Sequence, residues 1–366
     1  MSGHWSVAAP PQRLSVGPGQ LDRLRPLLKT TGAQRLLVVG SPRGLGSAAG
    51  QALVGGAGRA VVGTFDEVGV GVPATAAQAL GRRVLAEAVD GIVSFGGGSV
   101  VDLVKAVTFF VEQQHGTPGL TVTDTPALVH VAVPTTFVGA AGSSHFAMTD
   151  GSARAAHVAA SPTLVPRYVV VDPAVLEGAP ADLVARTGLV ALSHTLDAVV
   201  SPGRSPESEA LATAAFGRIW GALGPAVSGD GEALAALQEG AALAARAWQH
   251  SSPGLGHALA QLLAARAGVP YAAVAARLVA PVLRFDADVA GNQIEQLAQV
   301  VLVADLADAI EELSFEVGVT AGLSDLGAGE DDLAAVVRIS QANGFVQAAV
   351  RPAGEADVAA LLETIW

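Results

Sequence analysis

The chain has 366 residues, 51% of them hydrophobic and 15% charged, which excludes a disordered chain and suits two compact domains sharing a cleft. A formal net charge of −12 with two lysines, Lys29 and Lys105, leaves no basic stripe for a nucleic-acid backbone. With no cysteine in the chain, disulfides, thiolate nucleophiles and sulfur-ligated metals are excluded.

The N-terminal Met1-Ser2-Gly3-His4-Trp5 has no charged segment leading into an apolar one, and no apolar run of about 18 residues or more is free of charge and Gly/Pro breaks. A cytoplasmic protein that binds no membrane is expected. Short apolar runs then alternate with helical spacing: strands at Arg35–Val39, Arg59–Thr64 and Gly91–Phe95, helices at Ser47–Val54 and Ala74–Ala88. Alternation of this kind predicts a parallel sheet with crossover helices. A helix at Val100–Val111 and strands at Ala127–Val133 and Tyr168–Val171 continue it. From about Pro180 onward the texture is Ala/Leu-rich and helical, as at Ala181–Val200, Ser208–Leu223, Gly231–Trp248 and Gly256–Ala267, with turns at Ser201-Pro202-Gly203 and Ser252-Pro253-Gly254. The predicted fold is an α/β domain with a Rossmann-like parallel sheet, residues 1–175, followed by an all-helical domain, residues 176–366.

The strand Gly91–Phe95 runs straight into Gly96-Gly97-Gly98-Ser99, and a helix begins there. Glycines let a backbone approach a pyrophosphate without Cβ clashes, and the free amides and dipole of a helix start favour its charge. A strand-to-helix turn with no ligand would look similar from the glycines alone.

The surrounding residues add a resemblance. Gly96-Gly97-Gly98-Ser99-Val100-Val101-Asp102-Leu103-Val104-Lys105 resembles the GGGSxxDxxK signature of the iron-containing alcohol dehydrogenase superfamily, of dehydroquinate-synthase-like fold. Val133-Pro134-Thr135-Thr136, the segment Arg186–Asp197, Gly254-Leu255-Gly256-His257 and the segment Val279–Asp286 resemble its later elements, in the same order. The C-terminal segment is similar to that of maleylacetate reductases, the nearest branch by this reading. The resemblance implies that Gly97, Gly98 and Ser99 hold a dinucleotide pyrophosphate, that Asp102 approaches the nicotinamide ribose and that Thr135 and Thr136 line the cofactor. NAD-preferring relatives carry an acidic residue at the end of the first strand. Here Val39-Gly40-Ser41-Pro42-Arg43 has none, and with Ser41 and Arg43 as phosphate partners NADP(H) is slightly preferred over NAD(H).

The same resemblance implies a divalent ion held by an Asp and a His one helical turn apart, a second His on a later helix and a third about 14 residues beyond, but those positions read Val190, His194, His257 and Tyr271. Gln261 stands where relatives have a further His near the nicotinamide, and the glutamate usual after Pro-Thr-Thr is missing from Ala140–Ser144. Two imidazoles fall short of the three protein ligands of catalytic zinc sites, so no metal is expected. Tyr271 is then expected to donate to the developing alkoxide, with His257 or His194 as proton partner. The expected function is NAD(P)H-dependent, metal-independent reduction of a small carbonyl or enol compound. The alternative is a non-redox lyase, isomerase or cyclase of a biosynthetic pathway in the same cleft, and a non-catalytic scaffold fits the glycine loop less well. Homodimerisation is compatible with the Ala-rich helical surfaces.

Overall fold

The computed structural model describes residues 10–116, 126–251 and 253–366. The stretch Met1–Trp5 and Ser252 of the turn before Pro253 lie outside the described residues. In chain order the elements are β1 Arg13–Val16, α1 Leu24–Thr30, β2 Leu36–Gly40, α2 Pro42–Gly46, α3 Ala48–Gly56, β3 Val61–Phe65, α4 Ala74–Ala86, β4 Gly91–Gly96, α5 Gly98–Gln114, β5 Val129–Pro134, β6 His145–Asp150, β7 Ala155–Ala160 and β8 Tyr168–Val171. The helices α6 Ala181–Val200, α7 Pro206–Val227, α8 Gly231–Trp248, α9 Leu255–Ala267, α10 Tyr271–Val301, α11 Leu306–Glu316, α12 Glu330–Ser340, α13 Gly344–Gln347 and α14 Glu355–Glu363 follow. Among the described residues no strand occurs after β8.

The sheet is six-stranded, in the order β1-β8-β5-β4-β2-β3, and its strand pairings are all parallel. Every residue of β2 and of β4 is buried, because crossover helices cover both faces of a parallel sheet. Such strands read as near-continuous apolar runs, here Leu36-Leu37-Val38-Val39 and Ile92-Val93-Ser94-Phe95, where the buried Ser94 is hydrogen-bonded to His130. β4 lies between β2 and β5, so the glycine loop at its C-terminal end opens at the middle of the sheet edge. That edge is where open α/β sheets take their ligands.

Two elements depart from the sequence-based expectation. The edge strand β1 pairs with β8, and β6 and β7 form a separate antiparallel hairpin from His145↔Ala160 to Asp150↔Ala155. The hairpin stands off the sheet and rests on α9 and α5. Its tip is tied to the helical half, where Asp332 accepts from Arg154 at 2.9 Å and pairs with Arg266 at 3.1 Å.

α6 is the axle of the helical half. It is apolar and long enough to cross a membrane, but most of it is buried inside the protein, as befits a core helix. Leu189, Ala191 and Leu192 on α6 pack with Phe216 and Ile219 of α7 in the largest apolar cluster. Truncating Leu192 to Ala there would cost about 2–5 kcal/mol. Where the halves meet, the loop after β5 comes very close to the helices. Gly139 has φ +69°, and a Cβ on it would lie 2.9 Å from His194 Nδ1. A Cβ on Gly142 would lie 2.5 Å from the Ala245 carbonyl oxygen.

Candidate active site

Gly97 is the N-cap of α5 in extended conformation and makes no side-chain cap, so the first amides of the helix are open to an anion. A Cβ on Gly96 would collide with Val100, one on Gly97 would lie 2.9 Å from Thr136 Cγ2, and one on Gly98 would lie 3.0 Å from Val138 Cγ2. The cradle exists because these three residues lack side chains. Thr135 is fixed by its amide, which donates to the Gly96 carbonyl at 3.0 Å. Thr136 faces the loop with a buried Oγ1 that has no protein partner, a free group of the kind a bound ligand satisfies. At the end of β2, Ser41 Oγ accepts from the Gly44 amide at 3.1 Å, capping the five-residue α2, and Arg43 is exposed. The hydroxyl of Ser41 is thereby used as a helix cap.

The loop opens onto a cleft of about 690 Å³ between the two halves. Ser99 and Asp102 of α5 form one wall, His145 and Thr149 of the hairpin a second, and Trp248, His257, Gln261 and Tyr271 of α8, α9 and α10 the third. Tyr271 Oη lies 2.8 Å from His257 Nδ1. Burial pushes the tyrosine above its ordinary range, so it stays a phenol, and holds His257 down at about 3, so it stays a neutral imidazole. Beneath the cleft Lys105, fully buried, donates to the Ala140 carbonyl, Ser143 Oγ and the His145 carbonyl at 2.6, 2.7 and 2.9 Å. It also pairs with Asp102 at 3.4 Å. Burial lowers the lysine and raises the aspartate, each opposed by the other's charge.

A family model described as iron-containing alcohol dehydrogenase matches residues 11–173, and the C-terminal model of the same family matches residues 184–366. The chain belongs to the iron-containing alcohol dehydrogenase family. Membership places it among oxidoreductases. It is 32% identical over 251 residues to the probable alcohol dehydrogenase EutG of Escherichia coli (strain K12), spanning 65% of this chain and 63% of that protein. It is 28% identical to the lactaldehyde reductase of the same organism, over 76% of this chain and 77% of that protein. To maleylacetate reductase 2 of Cupriavidus pinatubonensis it is 28% identical, over 79% and 76%. Among solved structures, the sulfoacetaldehyde reductase of Bifidobacterium kashiwanohense in complex with NAD+ superposes with a TM-score of 0.87 at 22% identity, covering 100% of this chain and 99% of that one.

The corner where the family's resemblance places a metal is built differently here. Val190 is fully buried in an apolar cluster against which Tyr271 also packs. His194 does not face the cleft: the indole of Trp248 stacks on its ring, with centroids 4.1 Å apart and planes 15° off parallel. The same indole stands 5.0 Å from His257. Both ring nitrogens of His194 are buried without a partner, and burial next to His257 pushes its pKa down to about 3. Among the described residues no group of three or more His, Asp or Glu side chains gathers to hold a metal. A valine and a tyrosine bonded to His257 supply neither the carboxylate nor the third imidazole, which leaves fewer than the three protein donors of a catalytic divalent ion at this corner.

Four residues of the site escape sequence reasoning: His145, Trp248 and a pair of acids behind His257. His145 and Trp248 carry no motif, and only the docking of the hairpin and the end of α8 brings them to the cleft. The acids are Asp197 on α6 and Asp286 on α10, which line a second cavity of about 410 Å³ together with His257. Desolvation raises both carboxyls to about 7, and for Asp197 the charge of Asp286 adds to it.

Proposed function

We propose that the protein reduces a small carbonyl or enol compound with NAD(P)H and without a bound metal ion. The observation that carries the reading is the open, Cβ-free start of α5 facing the same cleft as the Tyr271–His257 pair. A reduced nicotinamide supplies the hydride that adds to the carbonyl carbon. The NAD+ held by the sulfoacetaldehyde reductase of the same fold supports that choice of cofactor. Gly97, Gly98 and Ser99 cradle the pyrophosphate with backbone amides, Thr136 offers its unpartnered hydroxyl, and Asp102 lies toward the nicotinamide side. NADP(H) is accepted at least as well as NAD(H), because no carboxylate stands at the end of β2 to repel a 2′-phosphate; Arg43 is the nearby cation.

On the other wall, Tyr271 donates the proton that converts the carbonyl oxygen to a hydroxyl, and water restores the phenol. In the tautomer protonated at Nδ1, His257 donates to Tyr271 Oη and leaves the phenolic hydrogen for the substrate; its bare Nε2 is then the buried, unpartnered atom observed. Fluorescence titration with NADH and NADPH, followed by turnover against an aldehyde and ketone panel after dialysis into EDTA, tests the reading. Binding and metal-independent oxidation of the dinucleotide are expected. Absence of dinucleotide binding would hand the cleft to non-redox chemistry.

A further inference from the structure

Carbonyl reduction without a metal leaves one chemical demand unmet. A family built around a Lewis acid polarises its carbonyl with the metal, an effect worth several kcal/mol of transition-state charge stabilisation, and a single phenol is a thin replacement. A carbonyl oxygen has two lone pairs and accepts two donors.

Of the three imidazoles near the cleft, His194 has both nitrogens sealed and His257 has one bonded to Tyr271 and the other sealed. His145 alone among these three lines the cleft with neither nitrogen buried without a partner. Its ring is clamped edge to face against Trp248 at 5.2 Å and His257 at 5.6 Å, with Phe345 at 5.8 Å. Its backbone is held as firmly, since the His145 carbonyl accepts from Lys105 Nζ at 2.9 Å and from Ser143 Oγ at 3.2 Å. The buried lysine of the glycine-loop helix therefore fixes the strand that carries the imidazole. Tyr271 packs on the same His257 ring at 5.5 Å and lines the same cleft. Burial and the neighbouring His257 keep His145 well below its ordinary pKa, so it presents one N–H as a neutral donor.

Resting on the proposed metal-free carbonyl reduction, we infer that His145 is a catalytic hydrogen-bond donor to the substrate's carbonyl oxygen. With Tyr271 it makes a two-donor polarising site in place of the metal. Donors held rigid before substrate arrives need no reorganisation when charge develops on the oxygen.

The test uses 4-(dimethylamino)cinnamaldehyde, whose absorption band moves to longer wavelength when its carbonyl is polarised, bound to the full-length protein with NAD+. The wild type is expected to show the red shift, before and after EDTA. His145→Phe, which keeps an aromatic ring against Trp248, should lose most of the shift and roughly 10²-fold in turnover with dinucleotide affinity unchanged. His145→Gln, which restores an N–H donor, should recover part of both. An unshifted band in the wild type, or a full shift and full turnover in His145→Phe, overturns the assignment. If the shift instead depends on Tyr271 alone, the proposed function stands and His145 is excluded. A shift abolished by EDTA and restored by Zn²⁺ sinks the metal-free reading and this inference together.

Discussion

The sheet wall of the cleft and the helical wall present two kinds of binding chemistry, and only the first matches the family's pattern closely. On the proposed reading the sheet wall binds through backbone amides and the absence of three Cβ atoms, a device that tolerates sequence drift as long as Gly96, Gly97 and Gly98 stay bare. The helical wall would have to work with side-chain donors, and on the proposed metal-free reading two positions, Val190 and Tyr271, are enough to break a ligand set. Trp248 stacks on His194 there. On the proposed reading a phosphate site and a metal site facing the same cleft part company, because one is written in conformation and the other in functional groups.

The comparison breaks most readily at the loop. Gly97→Val would drive two methyl groups into Thr136 and over the start of α5, and abolished NAD(P)H binding with unchanged circular dichroism is the expected result. Retained affinity in a folded variant would remove the cradle from the account.

On the opposite wall, Tyr271→Phe deletes only the hydroxyl that meets His257. Turnover should fall roughly 10²-fold with dinucleotide affinity preserved, measured by stopped-flow oxidation of NADPH. Full activity in Tyr271→Phe, with lost stability in Tyr271→Ala, would assign the residue to packing. Elemental analysis of the purified protein sharpens the same point: no stoichiometric iron or zinc is expected, and one EDTA-resistant ion per chain would show that donors were misplaced.

A smaller effect concerns Asp197 and Asp286, whose carboxyls rise to about 7 in the folded state. The native protein holds protons that the unfolded chain releases above its ordinary carboxylate range of about 4. The stability they confer is therefore full below about 4 and lost as the pH climbs through about 7. The melting temperature should decline from pH 5 to pH 8, and Asp286→Asn should flatten that decline; an unchanged slope would mean the acids are better solvated than the geometry shows. Smallest of all, Arg154→Ala removes a half-exposed partner of Asp332, and chemical denaturation should register at most about 1 kcal/mol.

Much of this architecture could be read directly. The helices Ala181–Val200 and Gly231–Trp248 begin and end where their spacing predicts, and β4, the glycine loop and α5 follow from an apolar run, three glycines and a change of period. The hairpin His145–Ala160 was not legible, because its alanines and polar residues carry little of the β-branched, alternating pattern that marks a strand. The cleft suffered more. Whether His194 meets a substrate is decided by Trp248, on another helix, and the raised carboxyls of Asp197 and Asp286 arise from desolvation that no local pattern records. Residues read through neighbours in sequence were placed well, and residues defined by neighbours in space were not.

The near-contacts at Gly139 and Gly142 also say where this molecule is divisible. The chain passes from sheet to helices between Val171 and Ala181, which looks like the natural splice for exchanging halves with a relative. Yet the true mating surface lies some thirty residues earlier, where two missing side chains admit His194 and Ala245. A chimera cut at the linker would join a lock to a foreign key; the interchangeable part is the helical half together with the loop from Gly139 to Gly142.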